Sequence, residues 1–270
     1  MRFYAHESAR TILRGRRRRF GNEKRIIKTG GACTLNSSDI SFLQKGTGKD
    51  LLFLHGYLSS KEAFLYQINY FSAFYRVTAI DFLGFGKSAK LTTAFSVTDY
   101  AEWLYAVMGA LELKNPLVIA HSFGCRVAVK TAKLHDGVFE KILLTGAAGI
   151  ILNRGFSYKA KVKAYRIVKR IFPNYAEKHF GSKEYRSLSE VMKESYKKIV
   201  NEDLREDAKR VTTPVLLVQG KADKTTTDEE AKVYLRSFPN AKLQTLDGGH
   251  FAFLDNPTAF NLIAEEFLYE

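Results

Sequence analysis

The run Val118-Ile119-Ala120-His121-Ser122-Phe123-Gly124 decides how this chain is read. A β-rich apolar segment over 117–120 breaks directly into a helical pattern over 125–134, which forces the residue between them into a sharp, strained turn. Only small residues two positions to either side relieve the crowding at such a turn, and here they are Ala120 and Gly124. The turn lifts the Ser122 hydroxyl clear of a sheet and sets the Phe123 N–H at a helix N-terminus. An exposed nucleophile beside a donor aimed at developing negative charge is what acyl transfer requires.

A serine hydroxyl is a weak nucleophile without a base, and the base needs an acid to orient it. Two downstream residues match those needs in chain order. Asp223 lies in a loop opening at Gly220, just past a buried strand predicted over 215–218. His250 follows the turn Asp247-Gly248-Gly249 after the next strand. Asp247 is the competing acid, but at three residues before the histidine it is expected to reach the far imidazole nitrogen less well.

Working outward, the pattern is strand and helix in alternation. Strands are predicted over 40–45, 51–54, 77–80, 117–120, 142–144, 215–218 and 243–246. Helices are predicted over 61–71, 97–111, 125–134, 228–237 and 257–267. This alternation implies an α/β fold, a mostly parallel sheet with helices on both faces and its site at the strands' C-terminal edge. The exception is 153–210, which shows no buried strand and reads as helical, basic and tyrosine-rich. The chain therefore divides into an arm over 1–31, a core over 32–152 and 211–270, and an insertion over 153–210.

These motifs resemble those of the α/β-hydrolase fold superfamily, in particular its esterase-like and C–C-hydrolase-like members. Five stretches carry the likeness in order: Leu52-Phe53-Leu54-His55-Gly56, Asp81-Phe82-Leu83-Gly84-Phe85-Gly86-Lys87-Ser88, the serine turn, Gly220-Lys221-Ala222-Asp223, and Gly248-Gly249-His250-Phe251. The resemblance spans about residues 39–268, with Ala120 where the family usually has glycine. It implies a Ser122, Asp223 and His250 triad, and an oxyanion hole from the backbone N–H groups of Tyr57 and Phe123. It also implies that 153–210 is a helical cap over the site. Phe156, Tyr158, Tyr165, Phe172, Tyr175 and Phe180 would then pack the cap or line an acyl pocket. Arg154, Lys159, Lys161, Lys163, Arg166 and Arg170 would form mostly solvated faces, with one or two free to meet a substrate carboxylate.

Other motifs read structurally. Gly84 to Ser88 superficially suggests a phosphate loop, but Asp81 stands where that motif needs its first glycine, so a tight turn is expected. His55 is expected to fix its loop by hydrogen bonding, His121 to be packed and hydrogen-bonded, and Cys125 to be a small core residue. His6, His135 and His179 fall in no metal-site spacing. No cofactor or metal is expected.

At 270 residues with 46% hydrophobic content, the length suits one α/β domain with an insertion. No apolar run approaches the ~18 residues of a membrane span, and no secretory apolar stretch follows the N-terminal charges. Cys33 and Cys125 allow at most one bridge. A cytoplasmic location is the expectation. The net charge of +14 is unevenly placed: residues 1–30 hold ten Lys/Arg against two Asp/Glu, and 151–210 hold sixteen against eight. All the excess lies outside the core. The run Arg16-Arg17-Arg18-Arg19 implies either a weak contact with an anionic membrane or nucleic acid, or a solvated arm with no fixed partner.

The resulting expectation is a cofactor-free serine hydrolase acting on a small or medium carboxylic ester. One alternative is carbon–carbon bond hydrolysis of a diketone acid on the same triad. An alternative of another class is a non-catalytic binding protein on the hydrolase scaffold.

Overall fold

A computed structural model describes residues 27–28, 34–35, 39–152 and 183–269. The arginine-rich run, Cys33, His6, His179 and the named aromatics and cations of 153–182 lie outside the described residues. The described chain runs β1 (Ile27–Lys28), β2 (Thr34–Leu35), β3 (Phe42–Lys45), β4 (Asp50–Leu54), α1 (Leu65–Phe71), β5 (Arg76–Ile80), α2 (Val97–Ala110) and β6 (Leu117–His121). It continues with α3 (Phe123–Leu134), β7 (Ile142–Thr145), α4 (Lys183–Arg186), α5 (Glu190–Val200), α6 (Arg205–Ala208) and β8 (Val215–Gly220). It ends with α7 (Asp228–Ser237), β9 (Ala241–Leu246), α8 (Ala252–Asp255) and α9 (Pro257–Tyr269).

Seven strands form one sheet in the order β3-β5-β4-β6-β7-β8-β9. Only β3 is antiparallel to its neighbour; the other pairings are parallel. The central strands are buried on both faces, which is why they read as unbroken apolar runs rather than as alternations. Their period of two divides the core. Leu52, Leu54, Val118, Ala120 and Leu144 pack against α2 and α3 residues such as Trp103, Leu104 and Val127. Leu51, Phe53, Leu117, Ile119 and Leu143 face Ile68, Phe71, Phe260 and Phe267 of α1 and α9. Capping boxes open α2, from Ser96 to Asp99, and α7, from Thr227 to Glu230.

Two predicted helices differ from the structure. The helix predicted over 61–71 begins as a 3-10 turn, Lys61–Phe64, before α1. The first turn is tied elsewhere: the Lys61 N–H donates to Asp81 Oδ1 at 2.8 Å and its Nζ to Oδ2 at 2.6 Å. Helix α3 starts at Phe123, two residues earlier than predicted, because the turn feeds straight into it. Outside the seven-stranded sheet, β1 pairs antiparallel with β2, one on each side of the arm boundary expected at residue 31.

Asp81 also explains why Gly84 to Ser88 is a turn rather than a phosphate loop. Its buried carboxylate accepts from the Lys87 N–H at 2.9 Å, its carbonyl accepts from Ser88 Oγ at 2.7 Å, and a Cβ on Gly86 would fall 2.3 Å from the carboxyl carbon. Removing a buried partner leaves a charge uncompensated, so Lys61→Ala is expected to cost about 3–5 kcal/mol of stability. A urea titration showing a loss under about 1 kcal/mol, the range of an exposed pair, would contradict this.

Candidate active site

Ser122 joins β6 to α3 at φ 50° and ψ −108°, a conformation that costs a non-glycine residue about 1–3 kcal/mol. The surroundings hold it there. Its N–H donates to the Thr145 carbonyl at 3.1 Å, and its carbonyl accepts from the Cys125 N–H at 3.1 Å. The need for glycine at 124 has a tertiary cause: a Cβ there would sit 2.3 Å from the Leu54 carbonyl oxygen of β4. Cys125 is fully buried, as expected, with its thiol directed at the Ala120 carbonyl at 3.2 Å.

Three of the predicted site residues form one hydrogen-bonded chain. His250 Nε2 lies 3.0 Å from Ser122 Oγ, and its Nδ1 lies 2.9 Å from Asp223 Oδ2. With Nδ1 donating to the carboxylate, Nε2 is the acceptor for the serine proton. Asp223 sits past the end of β8 with its side chain buried. Burial pushes its pKa up, but bonds from His250, from Thr226 Oγ1 and from the Thr225 and Thr226 N–H groups outweigh it, and the group is held at about 2. Asp247 is excluded by position: it is exposed and paired with Lys221 at 2.7 Å.

The histidine loop is fastened from behind. His121 Nε2 donates to the His250 carbonyl at 3.0 Å, and its ring packs on those of His250 and Phe251. Burial pushes His121 down to about 3, which keeps it a neutral donor rather than a second base. The Gly249 N–H donates to Asp255 Oδ2 at 2.7 Å. At Gly146, with φ +54°, a Cβ would fall 3.1 Å from His250 Nδ1.

Tyr57 and Phe123 line the same cavity as Ser122. Phe123 is the first residue of α3, so its N–H lies outside the helical hydrogen bonds. Tyr57 follows β4 through His55 and Gly56. Among the described residues neither amide has an acceptor. His55 fixes this loop as expected, accepting from the Phe82 N–H at 3.0 Å and donating to the Gly56 carbonyl at 2.7 Å. Burial pushes it down to about 4. The Tyr57 ring packs on Phe85, Phe123 and Tyr196, and its hydroxyl donates to the Met192 carbonyl at 3.2 Å.

Ser122, His250 and Tyr57 line a cavity of about 850 Å³. Tyr185, Leu188, Tyr196 and Ile199, from α4, α5 and the turn between them, contribute to its wall. The sequence reading missed three contributors. Thr226 donates to Asp223, and Tyr196 packs on Tyr57. Arg126, in α3 four residues beyond Ser122, lines the cavity, and nothing in the sequence set it apart from the other helical cations. Among the described residues no group of three His, Cys, Asp or Glu side chains is placed to hold a metal, and no helix is long and apolar enough to cross a membrane.

Comparisons with known proteins agree with this architecture. The chain is similar to the AB hydrolase superfamily protein YisY of Bacillus subtilis (strain 168), 26% identical over 266 residues, covering 89% of this chain and 97% of that protein. It is also similar to 2-hydroxy-6-oxo-6-(2'-aminophenyl)hexa-2,4-dienoic acid hydrolase of Metapseudomonas resinovorans, 22% identical over 261 residues, covering 88% of each. The solved structure of an esterase from Exiguobacterium antarcticum shares the fold with a TM-score of 0.70 at 23% identity, covering 86% of this chain and 96% of that one. The model of the alpha/beta hydrolase family matches residues 51–261. With that match covering six of the seven strands, from Leu51 in β4 through β9, and every residue of the Ser122, Asp223 and His250 chain, the protein belongs to the alpha/beta hydrolase family.

Proposed function

We propose that this protein is a serine hydrolase that cleaves a carboxylic ester of small or medium acyl length. The observation that carries the reading is the hydrogen-bonded chain from Ser122 through His250 to Asp223, opening on the cavity. Ser122 Oγ attacks the carbonyl carbon as His250 Nε2 takes its proton. Asp223 holds the imidazole in the required tautomer and stabilises the imidazolium. The oxyanion is received by the Tyr57 and Phe123 amides, each such donor being worth about 3 kcal/mol in the transition state. His250 then protonates the leaving group and activates a water that attacks the acyl enzyme, breaking its bond to Ser122 Oγ, freeing the acid and returning the proton to the serine. Residues 153–210 act as the cap, a role supported by the cavity wall that Tyr185, Leu188, Tyr196 and Ile199 supply.

A fluorophosphonate probe tests this reading together with a panel of p-nitrophenyl esters of increasing chain length. Stoichiometric labelling on the peptide carrying Ser122, with turnover of short esters, is the expected result; a folded protein that neither labels nor turns over esters would be the binding scaffold instead. Carbon–carbon hydrolysis of a diketone acid is the second reading. It is favoured by the likeness to the dienoic acid hydrolase over 88% of both chains.

The arginine-rich arm is separate from this chemistry. Deleting residues 1–19 is expected to leave turnover of a soluble ester within about twofold, while weakening any salt-sensitive binding to anionic vesicles or nucleic acid, since exposed charges are screened beyond about 8 Å at physiological ionic strength. Co-sedimentation with anionic vesicles and gel shift with nucleic acid check the second half. Absence of binding by the full chain would make the arm a passive tail.

A further inference from the structure

Arg126 is an anomaly of charge accounting. It lies in the first turns of α3, four residues after Ser122. The residue is 7% exposed, yet it lines the cavity that Ser122 and His250 share. A guanidinium carries five N–H donors, and among the described residues this one makes a single hydrogen bond, from Nη1 to the Glu202 carbonyl at 2.7 Å.

Acids stand nearby, but each is engaged elsewhere. Glu202 pairs with Lys130 at 2.7 Å. Asp203 accepts from the Ile151 and Arg205 N–H groups, both at 2.9 Å. Glu230 caps α7, accepting from the Thr227 N–H at 2.6 Å. Among the described residues no carboxylate lies within ion-pairing distance of Arg126, and burial without a counter-ion is costly. That burial pulls the guanidinium pKa down in spite of the surrounding acids.

We propose that Arg126 anchors a carboxylate carried by the substrate, in the same cavity as Ser122 and His250. The inference rests on the hydrolase reading above and narrows its substrate class to half-esters or keto acids bearing a second, anionic end. Among the described lining residues Arg126 is the single Lys or Arg and Glu230 the single Asp or Glu. One guanidinium with a planar fork matches a monoanionic carboxylate bidentately, and no second cation is supplied for a dianionic phosphate. The anchor thus belongs to the core helix and not to the basic 153–210 segment, where the cation was expected.

The test compares p-nitrophenyl hemiglutarate with p-nitrophenyl pentanoate, an anionic and a neutral five-carbon acyl group. In Arg126→Gln, KM for the hemiglutarate is expected to rise at least tenfold, while kcat/KM for the pentanoate stays within threefold; Arg126→Lys should recover part of the loss. Equal effects on the two esters would overturn the anchor. A binding arm needs no turnover: free glutarate is expected to raise the Tm of the wild type more than pentanamide does, and not that of Arg126→Gln. No stabilisation of the wild type beyond that given by pentanamide would overturn the anchor, even if Arg126→Gln failed to fold. If the wild type neither labels with fluorophosphonate nor turns over the pentanoate, the hydrolase reading fails, and the glutarate shift still decides the anchor.

Discussion

Ser122→Ala is expected to lower ester turnover about 10⁶-fold, the scale on which nucleophiles of this kind act, and to abolish fluorophosphonate labelling. Stability should hardly change. The hydroxyl's hydrogen bond runs to His250, and alanine suffers the same strain as serine at φ 50°. Ser122→Gly separates the two properties further. Glycine takes up positive φ freely, so this variant should be equally inactive yet more stable by about 1 kcal/mol, after its greater unfolded-state entropy offsets part of the relieved strain. Kinetics and thermal melts of the three proteins check both halves. Labelling retained in Ser122→Ala would sink the assignment of the nucleophile.

Asp223→Asn is expected to lower kcat about 10⁴-fold, because an amide in place of the carboxylate favours the wrong imidazole tautomer and withholds the charge that stabilises imidazolium. Asp247→Asn, altering only an exposed pair with Lys221, should leave kcat within about twofold. The reverse order would mean that the acid is misassigned. The aspartate also carries a pH signature. Its carboxyl is held at about 2 in the folded protein against an ordinary 3.8, a depressed value. The corresponding stability is therefore fully present above about pH 4 and lost as pH falls through 2. It amounts to at most about 2 kcal/mol, since some screening reaches the loop. Because the substituted amide does not titrate, the stability gap between wild type and Asp223→Asn should narrow as pH falls from 5 to 2. A gap that is constant across that window would show that the carboxylate is not held as the hydrogen bonds imply.

The sheet was legible because buried parallel strands are continuous apolar runs, and Leu51 to Leu54, Leu117 to Ala120 and Val215 to Val218 stand out without any partner in view. The serine turn was legible for the same local reason: strand, small residue, serine, small residue and helix follow from steric rules acting over seven positions. The order of Ser122, Asp223 and His250 was also evident in the chain. What the chain alone left open concerned residues far apart in sequence. Asp223 prevails over Asp247 because β8 delivers its carboxylate to the imidazole 27 residues away, while Asp247 turns outward to Lys221. Glycine is required at 124 by the Leu54 carbonyl of a different strand, and the helix predicted from Lys61 opens as a 3-10 turn because Asp81 holds its first residue. Arg126 reads from the sequence as one more helical cation among many. Only the packing of α3 against the Glu202 loop buries it on the nucleophile's cavity with no counter-ion among the described residues, because burial and pairing are set by every element that surrounds a side chain and not by its neighbours along the chain.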